Sequence, residues 1–262
     1  MKIIRPNRRL FIAGGLSLAA PAILRAQVPI TGAGLPKPAA AGGGEATVLI
    51  DTIGGAISSG NGVISFTIGG GATISVGGGP NGTSNLCLMC VALFGSQNGG
   101  TSTGLTMRWN PTITPQSFTQ VPGAFVQNGA AGGDCYIFYL MNPATGNLSF
   151  DANWTGANQC AFFLVSFVHV DQTGGATTFP NVVTTTSSGS SVNISTSPTT
   201  RKLIGGFNST ANFTTATDND IGHNNFMNVF AVAAEYAPGS NSTVSYGGGT
   251  TGCALATSIK GA

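Results

Sequence analysis

Apolar residues in this chain come in short runs separated by clusters of Gly, Ser, Asn and Thr, and almost nowhere with the spacing an amphipathic helix needs. The runs span 47–51, 63–68, 73–76, 86–94, 105–109, 117–121, 135–141, 148–154, 161–170, 181–186, 191–195, 202–207, 227–236, 243–246 and 254–260. Each is strand-length and rich in β-branched or aromatic residues. The stretch that competes as a helix, Phe226 to Tyr236, is nearly continuously apolar and ends at Pro238-Gly239, so it reads as a buried strand. Only 7% of the side chains are charged and 40 of the 262 residues are glycine, which excludes a coiled coil and argues against a basic nucleic-acid binder. Without βαβ spacing, the pattern predicts an all-β fold, an antiparallel jelly-roll-like β-sandwich, as a single domain over 47–262.

The clearest local unit runs from Tyr136 to Trp154. Asn142-Pro143-Ala144-Thr145-Gly146 carries turn chemistry that predicts a hairpin between the flanking strands. In the second strand Leu148, Phe150, Ala152 and Trp154 alternate with Ser149, Asp151 and Asn153, which predicts one core face and one wet face.

The first residues predict an address. A basic start (Lys2, Arg5, Arg8, Arg9) precedes an apolar stretch from Leu10 to Leu24 and a small residue, Ala26, so residues 1–26 read as an export signal peptide. The string Asn7-Arg8-Arg9-Leu10-Phe11-Ile12 resembles a twin-arginine translocation signal, with Asn7 and Ala13 departing from that pattern; Sec export is the alternative route. The apolar stretch is too short to favour a retained membrane span. Residues 27–46, rich in Pro, Ala and Gly, read as a flexible linker. The expected location is periplasmic or extracellular.

Five of the ten basic residues (Lys2, Arg5, Arg8, Arg9, Arg25) lie in the leader and none of the eight acidic ones does, so the remainder carries a formal net charge of 5 minus 8, or −3. Attraction to nucleic acid or an anionic bilayer is not expected. The five cysteines, Cys87, Cys90, Cys135, Cys160 and Cys253, are odd in number, so at least one stays unbridged within a single chain. Cys87-x-x-Cys90 lies in an apolar run where strand geometry sends i and i+3 to opposite faces, which favours core packing over a shared metal.

The strand Leu105-Thr-Met-Arg-Trp-Asn110, the turn unit Tyr139 to Gly146 and the strand Val165 to Thr173 resemble a β-sandwich domain of uncharacterised bacterial exported and phage-associated proteins. Such domains are similar in architecture to concanavalin A-like lectin and glucanase sandwiches. The resemblance covers roughly residues 85–260 and implies a fold; it carries over no catalytic or sugar-binding residue.

Candidate chemistry is sparse. Asp218, Asp220 and His223, in a polar cluster read as a loop over 218–225, supply the oxygens and imidazole of a metal site, with Ca2+ the cofactor they would take; a hydrogen-bonded turn is the competing reading. His169 and Asp171, two apart on one predicted strand, share a face as a base and its partner would, although no nucleophile motif accompanies them. Glycoside hydrolysis needs two facing carboxyl groups; Glu45 lies in the linker, and Glu235 would need Asp151 or Asp171 brought to it by folding. Among rings that could stack on a sugar, Trp154 falls on a core face, leaving Trp109, with Met107 and Leu105 on its face, and Tyr246, beside Gly247-Gly248-Gly249, as ligand-binding candidates. The expected function is a non-enzymatic exported binding, adhesion or surface-assembly module, with a glycan or cell-surface partner and self-association among its modes. The alternative is a carbohydrate-active hydrolase on the same sandwich.

Overall fold

A computed structural model describes residues 47–59, 65–68, 73–95, 101–128, 133–156, 159–187, 191–195, 201–208, 213–214, 219–226, 230–238, 241–246 and 252–262. These residues form an all-β molecule with antiparallel pairing throughout, apart from one short helical turn, α1 (Gly175–Thr178). A central sheet runs β1 (Leu49–Ser59), β10 (Gln159–Val168), β4 (Cys87–Gly95), β8 (Asp134–Met141), β7 (Thr119–Gln127). A C-terminal sheet runs β11 (Val182–Ser187), β18 (Gly252–Ile259), β13 (Arg201–Asn208), β16 (Phe230–Pro238), β15 (Asn219–Phe226). A third sheet runs β2 (Ser65–Ile68), β9 (Gly146–Thr155), β5 (Thr103–Trp109), β6 (Gln116–Ser117), with β3 (Thr73–Val76) also paired to β9. Strands β12 (Ser191–Ser195), β17 (Asn241–Tyr246) and β14 (Phe213–Thr214) make a small sheet of their own.

The central sheet has a core on each side. Met89, Val91 and Leu93 of β4, Cys135 and Ile137 of β8 and Phe163, Val165 and Phe167 of β10 pack with Leu203, Cys253, Leu255 and Ile259 of the C-terminal sheet. The intervening residues, Leu88, Cys90, Ala92 and Phe94, Tyr136 and Phe138, and Phe162 and Leu164, pack with Met107, Trp109, Phe150, Ala152 and Trp154 of the third sheet. The sandwich therefore has three layers. This is why β4 is an uninterrupted apolar run and β10, with Ser166 as its buried exception, nearly one: with both faces covered, a polar position along them carries a cost. Cys87 falls in one core and Cys90 in the other, as strand geometry requires of i and i+3. In the second core the Phe94 ring meets Trp154 at 5.1 Å and Phe162 at 5.6 Å, edge-on in both cases. Each such buried aromatic contributes about 1.5–3 kcal/mol from area alone.

The turn at Asn142–Gly146 corrects one sequence expectation. It does not close a hairpin, since β8 belongs to the central sheet and β9 to the third. Instead it carries the chain from one layer to the next. Asn142 takes a left-handed φ of 48° and its N–H donates to Leu86 O at 3.0 Å, while Ala144 N donates to Gln116 Oε1 at 2.7 Å and Trp109 Nε1 donates to Ala144 O at 2.8 Å. Those contacts come from three other segments, which is what a corner between layers needs and a two-strand turn does not. The alternation predicted for β9 holds at Phe150, Ala152 and Trp154, which are buried, and at Asn153, which is exposed, but Asp151, expected on the wet face, is buried as well.

Asp151, on the opposite face from that core, pairs in register with Arg108, and the guanidinium grips its carboxylate through Nε at 3.0 Å and Nη2 at 2.5 Å. Among the described residues no helix is long and apolar enough to cross a membrane.

Candidate functional site

Asp51, Asp151 and Asp171 hold structure together. Asp51 accepts from the N–H groups of Gly77 and Gly79, both at 2.7 Å. Asp151 is held by Arg108. Asp171 accepts from Thr173 N at 2.8 Å and pairs with Lys260 at 3.3 Å; the Thr173 hydrogen bonds, then the lysine, hold its carboxyl below the usual carboxylate range. The proposed His169–Asp171 pairing is not formed. β10 ends at Val168, and His169 takes a φ of 62°, which breaks the alternation that would have put the two side chains on one face. The His169 ring instead lies 3.3 Å from Thr47 O.

The expected metal ligands lie only partly within the described residues. Asp218 lies outside the described residues, and Asp220 and His223 sit within strand β15 rather than in a loop. A bulge between Asp220 and Gly222 sets Asp220 opposite Glu235 and His223 opposite Ala233 on β16. Among the described residues no group of three or more His, Cys, Asp or Glu side chains is placed to hold a metal ion. Glu235 and Asp151 lie in sheets on opposite sides of the central one.

Of the two stacking candidates, Trp109 is corrected: it is fully buried, its indole N–H engaged by Ala144 O. Its alternation with Met107 is the reason, because that face of β5 meets the central sheet. Tyr246 ends β17, in register with Phe213, and Gly247 to Gly249 lie outside the described residues.

The exposed ring is elsewhere. Phe125, 41% exposed, lies on edge strand β7 opposite Tyr136 of β8, and the two rings stack at 4.6 Å with planes 25° apart. Val121, Ala124 and Val126 face the core shared with the C-terminal sheet, so Phe125 and Gln127 point the other way. In register with them stand Tyr136 and Asp134, both buried, so the exposed surface at this margin of the central sheet is Phe125 and Gln127. Behind it is a buried polar network. Asp134 Oδ2 accepts from Ser102 N at 2.5 Å and from Ser102 Oγ at 2.8 Å, and Tyr136 Oη donates to Ser102 O at 3.3 Å.

Burial pushes the Asp134 carboxyl above its ordinary range, against the pull of its Ser102 and Gln127 hydrogen bonds, and burial likewise raises the Tyr136 phenol. The patch thus offers a flat apolar ring, braced from beneath by Tyr136 and a buried polar network. That ring can stack against an apolar ring face, with the exposed Gln127 side chain beside it as a hydrogen-bonding group. Nothing in the sequence singled Phe125 out, since Gly123-Ala-Phe-Val-Gln127 continues a run that looked complete at Val121.

No family model, no curated protein and no solved structure matches this chain.

Proposed function

We propose that this chain is an exported, non-catalytic binding or surface-assembly module that takes a neutral glycan or a cell-surface component on the Phe125 patch. The observation that carries the reading is the Phe125 ring, open on one face and stacked on Tyr136 on the other. A sugar presents apolar C–H faces that lie flat on such a ring, and its hydroxyls suit uncharged and hydrogen-bonding neighbours such as Gln127. The low charge of the chain and the twin-arginine-like leader support an extracytoplasmic role with no nucleic-acid partner. The structural engagement of Asp51, Asp151 and Asp171 supports binding over catalysis.

The test is titration of the protein against a panel of neutral oligosaccharides and polysaccharide particles. Binding is expected to one class and to fall about tenfold or more in Phe125→Ala, which removes an exposed ring and leaves the fold intact. Equal binding by the variant, or no binding to any glycan, removes the reading. Light scattering at rising concentration separates a monomeric binder from a self-associating coat component.

One observation favours the alternative, a carbohydrate-active hydrolase: Asp220 and Glu235 face each other in register on β15 and β16, two carboxyl-bearing positions on neighbouring strands. Release of reducing ends from the same panel, abolished by Glu235→Gln, would establish it.

A further inference from the structure

Cys135 and Cys253 approach each other across two layers of the sandwich. Cys135 is on β8 of the central sheet and Cys253 on β18 of the C-terminal sheet, 118 residues apart in sequence, and their Sγ atoms lie 3.0 Å from one another. Both are fully buried. Two side-chain-to-backbone contacts beside the pair hold the approach. Asn128 Nδ2 donates to Gly252 O at 2.6 Å, and Cys253 Sγ lies 3.4 Å from Gly133 O. Each cysteine is the second residue of its strand, so the pair sits at strand ends, where fraying admits a reagent that the middle of a layer would exclude. The other three cysteines are differently placed: Cys87 lies in the first core, and Cys90 and Cys160 in the second, on the far side of the central sheet.

We propose that Cys135 and Cys253 are the site of an intramolecular disulfide that bolts the central sheet to the C-terminal sheet when the folded domain meets an oxidising compartment. The oxidant is a disulfide, carried by a thiol–disulfide oxidoreductase or a small molecule such as oxidised glutathione. One cysteine, as thiolate, attacks a sulfur of that disulfide; a mixed disulfide forms and the oxidant's other sulfur leaves as a thiolate. The second cysteine, deprotonated, then attacks the first cysteine's Sγ, forming the Cys135–Cys253 bond and expelling the remaining thiolate. Two S–H bonds are lost and one S–S bond is gained; the two electrons and two protons end on the oxidant as two thiols. The odd cysteine count is thereby accounted for, with one bridge closed and three thiols remaining. In a domain that folds before oxidation, a bridge closes between partners already in contact, as these two are.

The test uses the full chain, purified with reductant, then refolded or incubated with oxidised glutathione, denatured and alkylated with N-ethylmaleimide. The oxidised protein should take up three maleimides against five for the reduced protein, weigh about 2 Da less before alkylation, and yield a peptide linking 135 to 253. Its melting temperature should rise by about 5–15 °C and fall back on reduction. Cys135→Ser and Cys253→Ser should each take up four maleimides and melt at the same temperature with and without oxidant. Should either variant fail to fold, the peptide map of the unaltered chain decides. Uptake of five maleimides after oxidation, a bridge mapped to other cysteines, or one between chains would overturn the proposal. The result is independent of glycan binding by Phe125.

Discussion

Asp134 shows how much a single residue can hold in tension. Its carboxylate fastens the Ser102 backbone beneath the candidate binding ring, yet burial makes the charged form costly. With its folded pKa raised above the unfolded value of about 3.9, its contribution is fully present below that value and is lost as pH rises through the folded pKa. Asp171, lowered by Thr173 and Lys260, behaves in the opposite sense: its contribution is present above about 3.9 and is lost as pH falls through its depressed value. Replacing Asp134 with Asn removes the first term alone. Melting temperatures of the wild type and Asp134→Asn, measured by circular dichroism across pH, should diverge in favour of the variant as pH rises from about 4. A pH-independent difference would mean that Asp134 is ionised at no net cost. At this scale the sequence was a poor guide to the site. Trp109 and Asp218 drew attention by residue type, while Phe125 stands out through its register with Tyr136 and its exposure, neither of which residue type or spacing encodes.

At the scale of elements the sequence was more legible. Strands β3 and β12 fall where the apolar runs place them, and the core strands β4, β8 and β10 agree within a residue or two. The runs failed where the physics is non-local. Strand β15, Asn219-Asp-Ile-Gly-His-Asn-Asn-Phe226, has the composition of a turn and becomes a strand through pairing with β16. The chain turns at Asn142–Gly146 as predicted, but it leaves its sheet there, and which layer receives it depends on Leu86, Gln116 and Trp109. A clue was present in the contrast between the unbroken apolar Cys135–Met141 and the alternating Leu148–Trp154: a strand covered on both faces and one covered on a single face belong to different layers. Close approach between layers makes a sharper prediction. Gly205 of β13 faces β4 so closely that a Cβ there would collide with Val91 Cγ1. Gly205→Ala should destabilise the fold by about 1–3 kcal/mol in chemical denaturation, and adding Val91→Ala should recover part of that loss. Additive losses in the double variant would show that the two layers do not meet at this point.

For the whole molecule the shared central sheet is the organising fact. Its residues belong alternately to one core and to the other, so neither outer layer can detach without exposing apolar surface of the middle one. Both tryptophans, Trp109 and Trp154, lie in the core under the third sheet, which makes fluorescence a reporter of that side alone. Thermal or denaturant unfolding followed by tryptophan fluorescence and by far-ultraviolet circular dichroism should give coincident transitions, because loss of one core removes the support of the other. A fluorescence transition at lower denaturant than the dichroic one would instead define the third sheet as a separately unfolding unit.

Edge strand β7 has a further consequence at this scale. Its pairing with β8 slips between Gln120 and Phe125, where Pro122 offers no N–H and Gly123 turns to a φ of 77°. A foreign strand laid alongside would meet a kinked, incomplete row of partners there, and could add no continuous ladder to the margin that carries Phe125. A chain so poor in repelling charge is otherwise exposed to runaway stacking of its sheets into fibrils. Pro122 and Gly123 thus leave this margin without the continuous row of partners that strand-on-strand growth requires.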